Sequence, residues 1–131
     1  MPKIIGIVGT RQRDTEEDYH DVLDVFKIVY DDGDIICSGG CKKGGDRFAE
    51  IIAGNMRMTE ENGRLIIHRP KPVPKGSSKW AFAKVNYERN TLVANDSDIL
   101  IACVSSDRKG GTEDTIKKFL KKHSEYDLII V

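Results

Sequence analysis

Three short stretches hold residue types suited to gripping an anion: "GTRQRD" at 9–14, "SGGCKKGGD" at 38–46 and "SSDRKGGT" at 105–112. Each mixes glycine with hydroxyl and charged side chains. The Gly39-Gly40 and Gly110-Gly111 pairs let backbone amides come close to an anion, which a bulkier residue would hinder. The chemistry expected is recognition of a phosphate or a ribose. Glu113 and Asp114 fall in the first turn of the helix that follows the third stretch. Acids already suit that positive helix end, contributing about 0.3–1 kcal/mol, and would repel a bare phosphate. The phosphate is therefore expected at the second stretch, near Gly39, Gly40, Arg11 and Lys42, with Asp114 facing a ribose hydroxyl or the anomeric carbon. The plain alternative is that these glycines make tight turns and the two acids only stabilise the helix.

Two familiar phosphate motifs are absent. "GIVGT" lacks the third glycine and the spacing of a dinucleotide fingerprint, and "GCKKGGDR" has Asp46-Arg47 where a P-loop needs Lys and Ser or Thr. A dinucleotide oxidoreductase and an NTPase are thereby disfavoured. Cys37 and Cys41 are four residues apart, with only His68 and Cys103 to join them, so no metal site is expected. Trp80 and Tyr87 are candidates for stacking on a base, or else core or dimer contacts.

These stretches need elements to position them. Five short apolar runs, "KIIGIV", "DIICS", "RLIIHR", "DILIACV" and "DLIIV", are rich in Ile and Val without alternation, as in strands buried on both faces. Helical spacing lies between them: Tyr19, Val22, Leu23, Phe26 and Tyr30; then Phe48, Ile51, Ile52 and Met56; then about 80 to 95; then Ile116, Phe119 and Leu120. Thr15 and Thr112 read as N-caps. Strands alternating with helices predict an α/β fold: a Rossmann-like open parallel five-stranded sheet, order 3-2-1-4-5, with helices on both faces. With the first strand central, the loops leaving strands one, two and four converge where ligands bind such sheets. "RPKPVPKGSSK" is a long loop, either a stiff connector or a lid.

The runs "GIVGTR", "SGGCKKGGDRFAE" and "ERNTLVANDSDILIACVSSDRKGGTEDTI" together resemble the SLOG superfamily, which includes the Lonely guy phosphoribohydrolases and the DNA-processing protein A fold. The likeness covers nearly the whole chain and is nearest to small stand-alone members, so residues 1–131 are read as a single nucleotide-binding domain. The resemblance implies a ligand site made by Gly9, Thr10 and Arg11; by Ser38, Gly39, Gly40 and Asp46; by Arg89 and Asn90; and by Gly110, Gly111 and Thr112. In Lonely guy enzymes an arginine and a glutamate support cleavage of the base–ribose bond. Arg89 and Asp114 stand in their places, but the motif before the acid differs and the carboxylate is one methylene shorter.

Composition narrows the functions. The 131 residues carry 21 Lys plus Arg against 21 Asp plus Glu, a net charge of zero. That balance disfavours single-stranded DNA, whose binding grooves are strongly basic. Three cysteines without a framework, no secretory leader and no apolar run of transmembrane length lead to the expectation of a cytoplasmic protein that meets no membrane. The leading expectation is a module that binds a nucleotide or nucleotide-derived ligand, as a sensor or a sequestering protein. The alternative is a nucleoside 5'-monophosphate phosphoribohydrolase, an N-glycosidic hydrolase. No cofactor is expected in either case, and a homodimer through the third helix or its neighbour is.

Overall fold

The computed structural model describes residues 1–131. Strand β1 (Ile4–Gly9) leads to helix α1 (Glu16–Val29), then β2 (Ile35–Ser38), α2 (Gly45–Asn55), β3 (Leu65–Ile67), α3 (Lys79–Asp96), β4 (Ile99–Cys103), α4 (Gly111–Leu120) and β5 (Leu128–Ile130). All strand pairings are parallel and the order is β3-β2-β1-β4-β5, as the alternation of runs predicts. β1 is central, with Ile5 opposite Ile36 of β2 on one side and Ile99 of β4 on the other.

Local chemistry fixes the helix starts. Thr15 caps α1, accepting from the Asp18 amide at 3.1 Å while the Asp18 carboxylate accepts from the Thr15 amide at 3.2 Å. This reciprocal box satisfies two donors that helix ends otherwise leave free. Ser78 caps α3, which ends the proline-rich loop on a helix start. The α4 N-cap is Gly110, two residues before the expected Thr112, and no side chain caps it. Gly110 has φ +105°, a left-handed conformation that glycine adopts without steric cost.

Each face of the sheet has its own core. Phe26 of α1 with Phe48 and Ile52 of α2 packs on Ile5, Ile7, Ile36 and Ile101. Val93 and Ala94 of α3 with Ile116 and Phe119 of α4 pack on Val8, Leu100 and Ala102. Full burial of such side chains contributes about 1.5–3 kcal/mol each. Only Asn90, Val93 and Ala94 of α3 are buried, all in its second half. Its first half stands above the carboxyl ends of the strands as a wall.

Candidate functional site

A cavity of about 430 Å³ opens at the carboxyl ends of the strands. Gly9, Thr10 and Arg11 reach it from the loop after β1, Gly39 and Asp46 from the segment after β2, and Gly110, Gly111 and Thr112 from the start of α4. Arg89 and Asn90 line it from α3. The three glycine-containing stretches and the Arg-Asn pair therefore meet at one place, as the topology requires.

The second stretch is organised by Asp46. Its carboxylate accepts from the Gly39 amide at 3.2 Å and from the Cys41 amide at 3.0 Å. The Gly40 amide donates to the Ser38 hydroxyl at 3.3 Å. These three amides are thus engaged within the chain, and a phosphate would have to displace the bonds. Burial pushes the Asp46 carboxyl up, opposed by Arg89 and by the Cys41 and Gly39 amides. The Arg89 guanidinium lies 3.8 Å from Asp46 and donates to the Gly39 carbonyl and to the Asn90 side chain. Arg89 hence braces the second loop from α3. A Cβ on Gly39 would meet Arg89 Nη1 at 2.8 Å and Asp46 Oδ2 at 2.9 Å, so this glycine is needed for packing. Gly40 turns away from the main cavity, toward Ile67 and Arg69.

The fourth stretch is the reverse case. Glu113 is held by Arg108 through bonds of 2.8 and 2.9 Å. Asp114 accepts from Asn90 at 3.1 Å and from Lys118 at 2.8 Å. Both acids have cationic partners and neither lines the cavity. The repulsion expected of them is thereby relieved. The amides of Gly111, Thr112 and Glu113 have no acceptor within the chain, as expected for the first turn of a helix with no side-chain cap. The other helix beginning nearby, α2, already has an acid over it: Asp14 accepts from the Gly44 amide at 2.7 Å and from Arg47 at 2.8 Å.

The cavity wall also holds residues that the sequence motifs did not single out, namely Gln12, Asn86, Lys109 and Thr115. Lys109 could have been found as the cation preceding the glycine pair. Arg11 and Lys109 take part in none of the chain's ion pairs. Asp46 is the cavity's only carboxylate, and Arg89 stands against it. Tyr87 lines the cavity, whereas Trp80 is 69% exposed and does not. Ser38, Gly40, Lys42, Glu113 and Asp114 all lie outside the main cavity.

The cysteines do not gather. Cys37 instead lies beside His68 and Asp96, their donor atoms within 4.8 Å of one another, a grouping that could hold a metal ion. His68 and Asp96 are directly hydrogen-bonded at 2.6 Å, and burial pushes the Cys37 thiol up to about 12. Comparison with protein-family models, with curated proteins and with solved structures finds no match for this chain.

Proposed function

We propose that this chain is a SLOG-type module that binds a nucleotide or nucleotide-derived ligand, with a phosphate seated at the start of α4. The observation that carries the reading is the first turn of α4: three unbonded amides, those of Gly111 and Thr112 at the cavity wall and that of Glu113 next to them, on a cavity that the unpaired cations Arg11 and Lys109 also line. Amides at the positive end of a helix favour an anion. Asn86, Asn90 and Tyr87 supply hydrogen bonds and an aromatic face for the sugar and base.

Binding without cleavage is the better-supported form of this reading. Cleaving a base from ribose builds positive charge on the sugar, which a nearby carboxylate must stabilise. Asp114 is committed to Asn90 and Lys118, and Asp46 to two amides and Arg89. Thermal unfolding with a panel of nucleotides, assayed in parallel for free base, tests the reading. At a concentration about 100 times Kd, a bound nucleotide is expected to raise the melting temperature by roughly 5–15 °C, with no base released. No shift with any phosphorylated nucleoside would remove the proposal. Released base would restore the hydrolase.

The proposal includes a cytoplasmic setting, in keeping with three unpaired cysteines. No helix is long and apolar enough to cross a membrane. It also includes a homodimer through α3, whose Trp80, Phe82 and Leu92 are exposed at 69, 47 and 48%. Sedimentation equilibrium at micromolar concentration is expected to give twice the chain mass of 14.7 kDa. A monomer mass there rejects the dimer and leaves the ligand site untouched.

A further inference from the structure

We infer that the ligand carries two separated phosphoryl groups, as a dinucleotide does, and that the second is held in a basic lobe adjoining the main cavity. This rests on the nucleotide reading above and goes beyond it by naming the ligand class. The lobe is a concavity of about 390 Å³, lined by the cations Arg11, Lys42, Lys43 and Arg89 together with Pro70 and Asn86 among others. No carboxylate lines it. Arg11, Cys41, Asn86 and Arg89 also line the main cavity, so the two spaces share a wall.

The charge here is not a by-product of a basic chain. Acids and bases number 21 each, and neighbouring cations are paired: Arg13 with Asp18, Arg47 with Asp14, Arg69 with Glu60 and Arg108 with Glu113. Arg11, Lys42 and Lys43 are in none of the chain's ion pairs, and of the four only Arg89 is paired, with Asp46 at 3.8 Å; Arg11 and Lys43 feel Asp46 and Asp14 only at longer range. Like charges brought together in a concavity repel, and an anion removes that repulsion. The amides of Lys42 and Lys43 also lack acceptors in the chain. Each lobe therefore has its own donors: the α4 amides and Lys109 in one, the two lysines with their amides in the other. Pockets for small ligands span about 300–1,000 Å³, and the main cavity alone sits near the lower limit. A mononucleotide engages only the first lobe. A dinucleotide reaches both, and the second contact then adds affinity as an intramolecular event.

The test is calorimetric titration of the full chain with nucleoside 5'-monophosphates, with dinucleotides of the form pNpN and with hexanucleotides of the same bases. The dinucleotide is expected to bind at least about tenfold more tightly than the monophosphate. Lys43→Glu, at an exposed position outside the main cavity, is expected to cut dinucleotide affinity about fivefold or more and monophosphate affinity less than about twofold. Lys43→Arg should retain the dinucleotide advantage, because it keeps the charge. Equal affinity for both ligands in the parent chain overturns the inference while leaving the nucleotide reading in place. So does equal weakening of both by Lys43→Glu, which would mark general electrostatics. Affinity that continues to climb to the hexanucleotide overturns it in favour of an extended single-strand groove. Absence of binding by every probe removes this inference and the proposed function together.

Discussion

Gly111→Asp is expected to abolish nucleotide binding, by at least about a hundredfold or 2.7 kcal/mol, in a chain that melts no lower than its parent. Gly111 is the first residue of α4, and its amide is one of the three without an acceptor. A Cβ there meets only Asn90 Nδ2, at 3.8 Å, which is ordinary contact. The backbone therefore accepts a side chain, and a carboxylate in a first helical turn adds about 0.3–1 kcal/mol of stability. The same carboxylate stands where the phosphate must approach and neutralises Arg11 or Lys109. Stability and affinity are thus driven in opposite directions by one group, which separates loss of the site from loss of the fold. Gly111→Asn is the partner variant: nearly the same size without the charge, it should lose markedly less affinity. Titration calorimetry with the best nucleotide from the panel, alongside thermal unfolding, measures both. Affinity within threefold of the parent in a folded Gly111→Asp chain would locate the phosphate away from α4.

Gly45→Ala is expected to cost about 3–5 kcal/mol of folding stability, a large share of the roughly 5–15 kcal/mol of a typical domain. Gly45 begins α2, which lies against the end of the central strand. A Cβ at Gly45 would sit 2.2 Å from the Val8 carbonyl carbon, 2.3 Å from the Gly9 nitrogen and 2.4 Å from the Val8 oxygen. These are backbone atoms of β1, paired there with Ala102 and Cys103 of β4, so they cannot swing aside as a side chain would. α2 has to retreat by about 1 Å, and its Phe48, Ala49 and Ile52 are buried at 0, 0 and 1% exposure. The retreat loosens that whole face of the core. Gly54 of the same helix supplies the contrast. Nothing lies within 4 Å of a Cβ there, and Gly54→Ala should stabilise by about 0.4–1 kcal/mol through helix propensity and a less flexible unfolded chain. Urea unfolding of both variants checks the pair. A Gly45→Ala chain within 1 kcal/mol of the parent would mean that α2 does not seat as closely as the geometry requires.

Both variants turn on what a glycine is near, and that divides what could be read from the sequence from what could not. Five Ile- and Val-rich runs alternating with helical stripes were enough to give the parallel sheet and its order, because each signal is local and crossover connections have one preferred hand. With β1 central, convergence of the loops after β1, β2 and β4 followed, and ten of the expected site residues line the cavity: Gly9, Thr10, Arg11, Gly39, Asp46, Arg89, Asn90, Gly110, Gly111 and Thr112. Which of these are free to meet a ligand was not legible. Asp46 is seven residues from Gly39 and looked like a ligand contact, but it folds back to take the amides of its own loop. Asp114 looked like a group aimed at a ribose, but Asn90, 24 positions earlier, and Lys118 hold it outside the cavity. Glu113, which by sequence position alone closes the α4 end to phosphate, is held by Arg108.

The sequence by itself determined the elements, their order in the sheet and the end of the sheet at which ligand-binding residue types collect, since these follow from periodicity and chain connectivity. Only the tertiary structure decided which amides and charges remain unspoken for. A hydrogen-bond donor or a carboxylate is available only if no other group in the fold has reached it first, and the competitors, Arg89 for Asp46 and Asn90 for Asp114, arrive from a helix far along the chain.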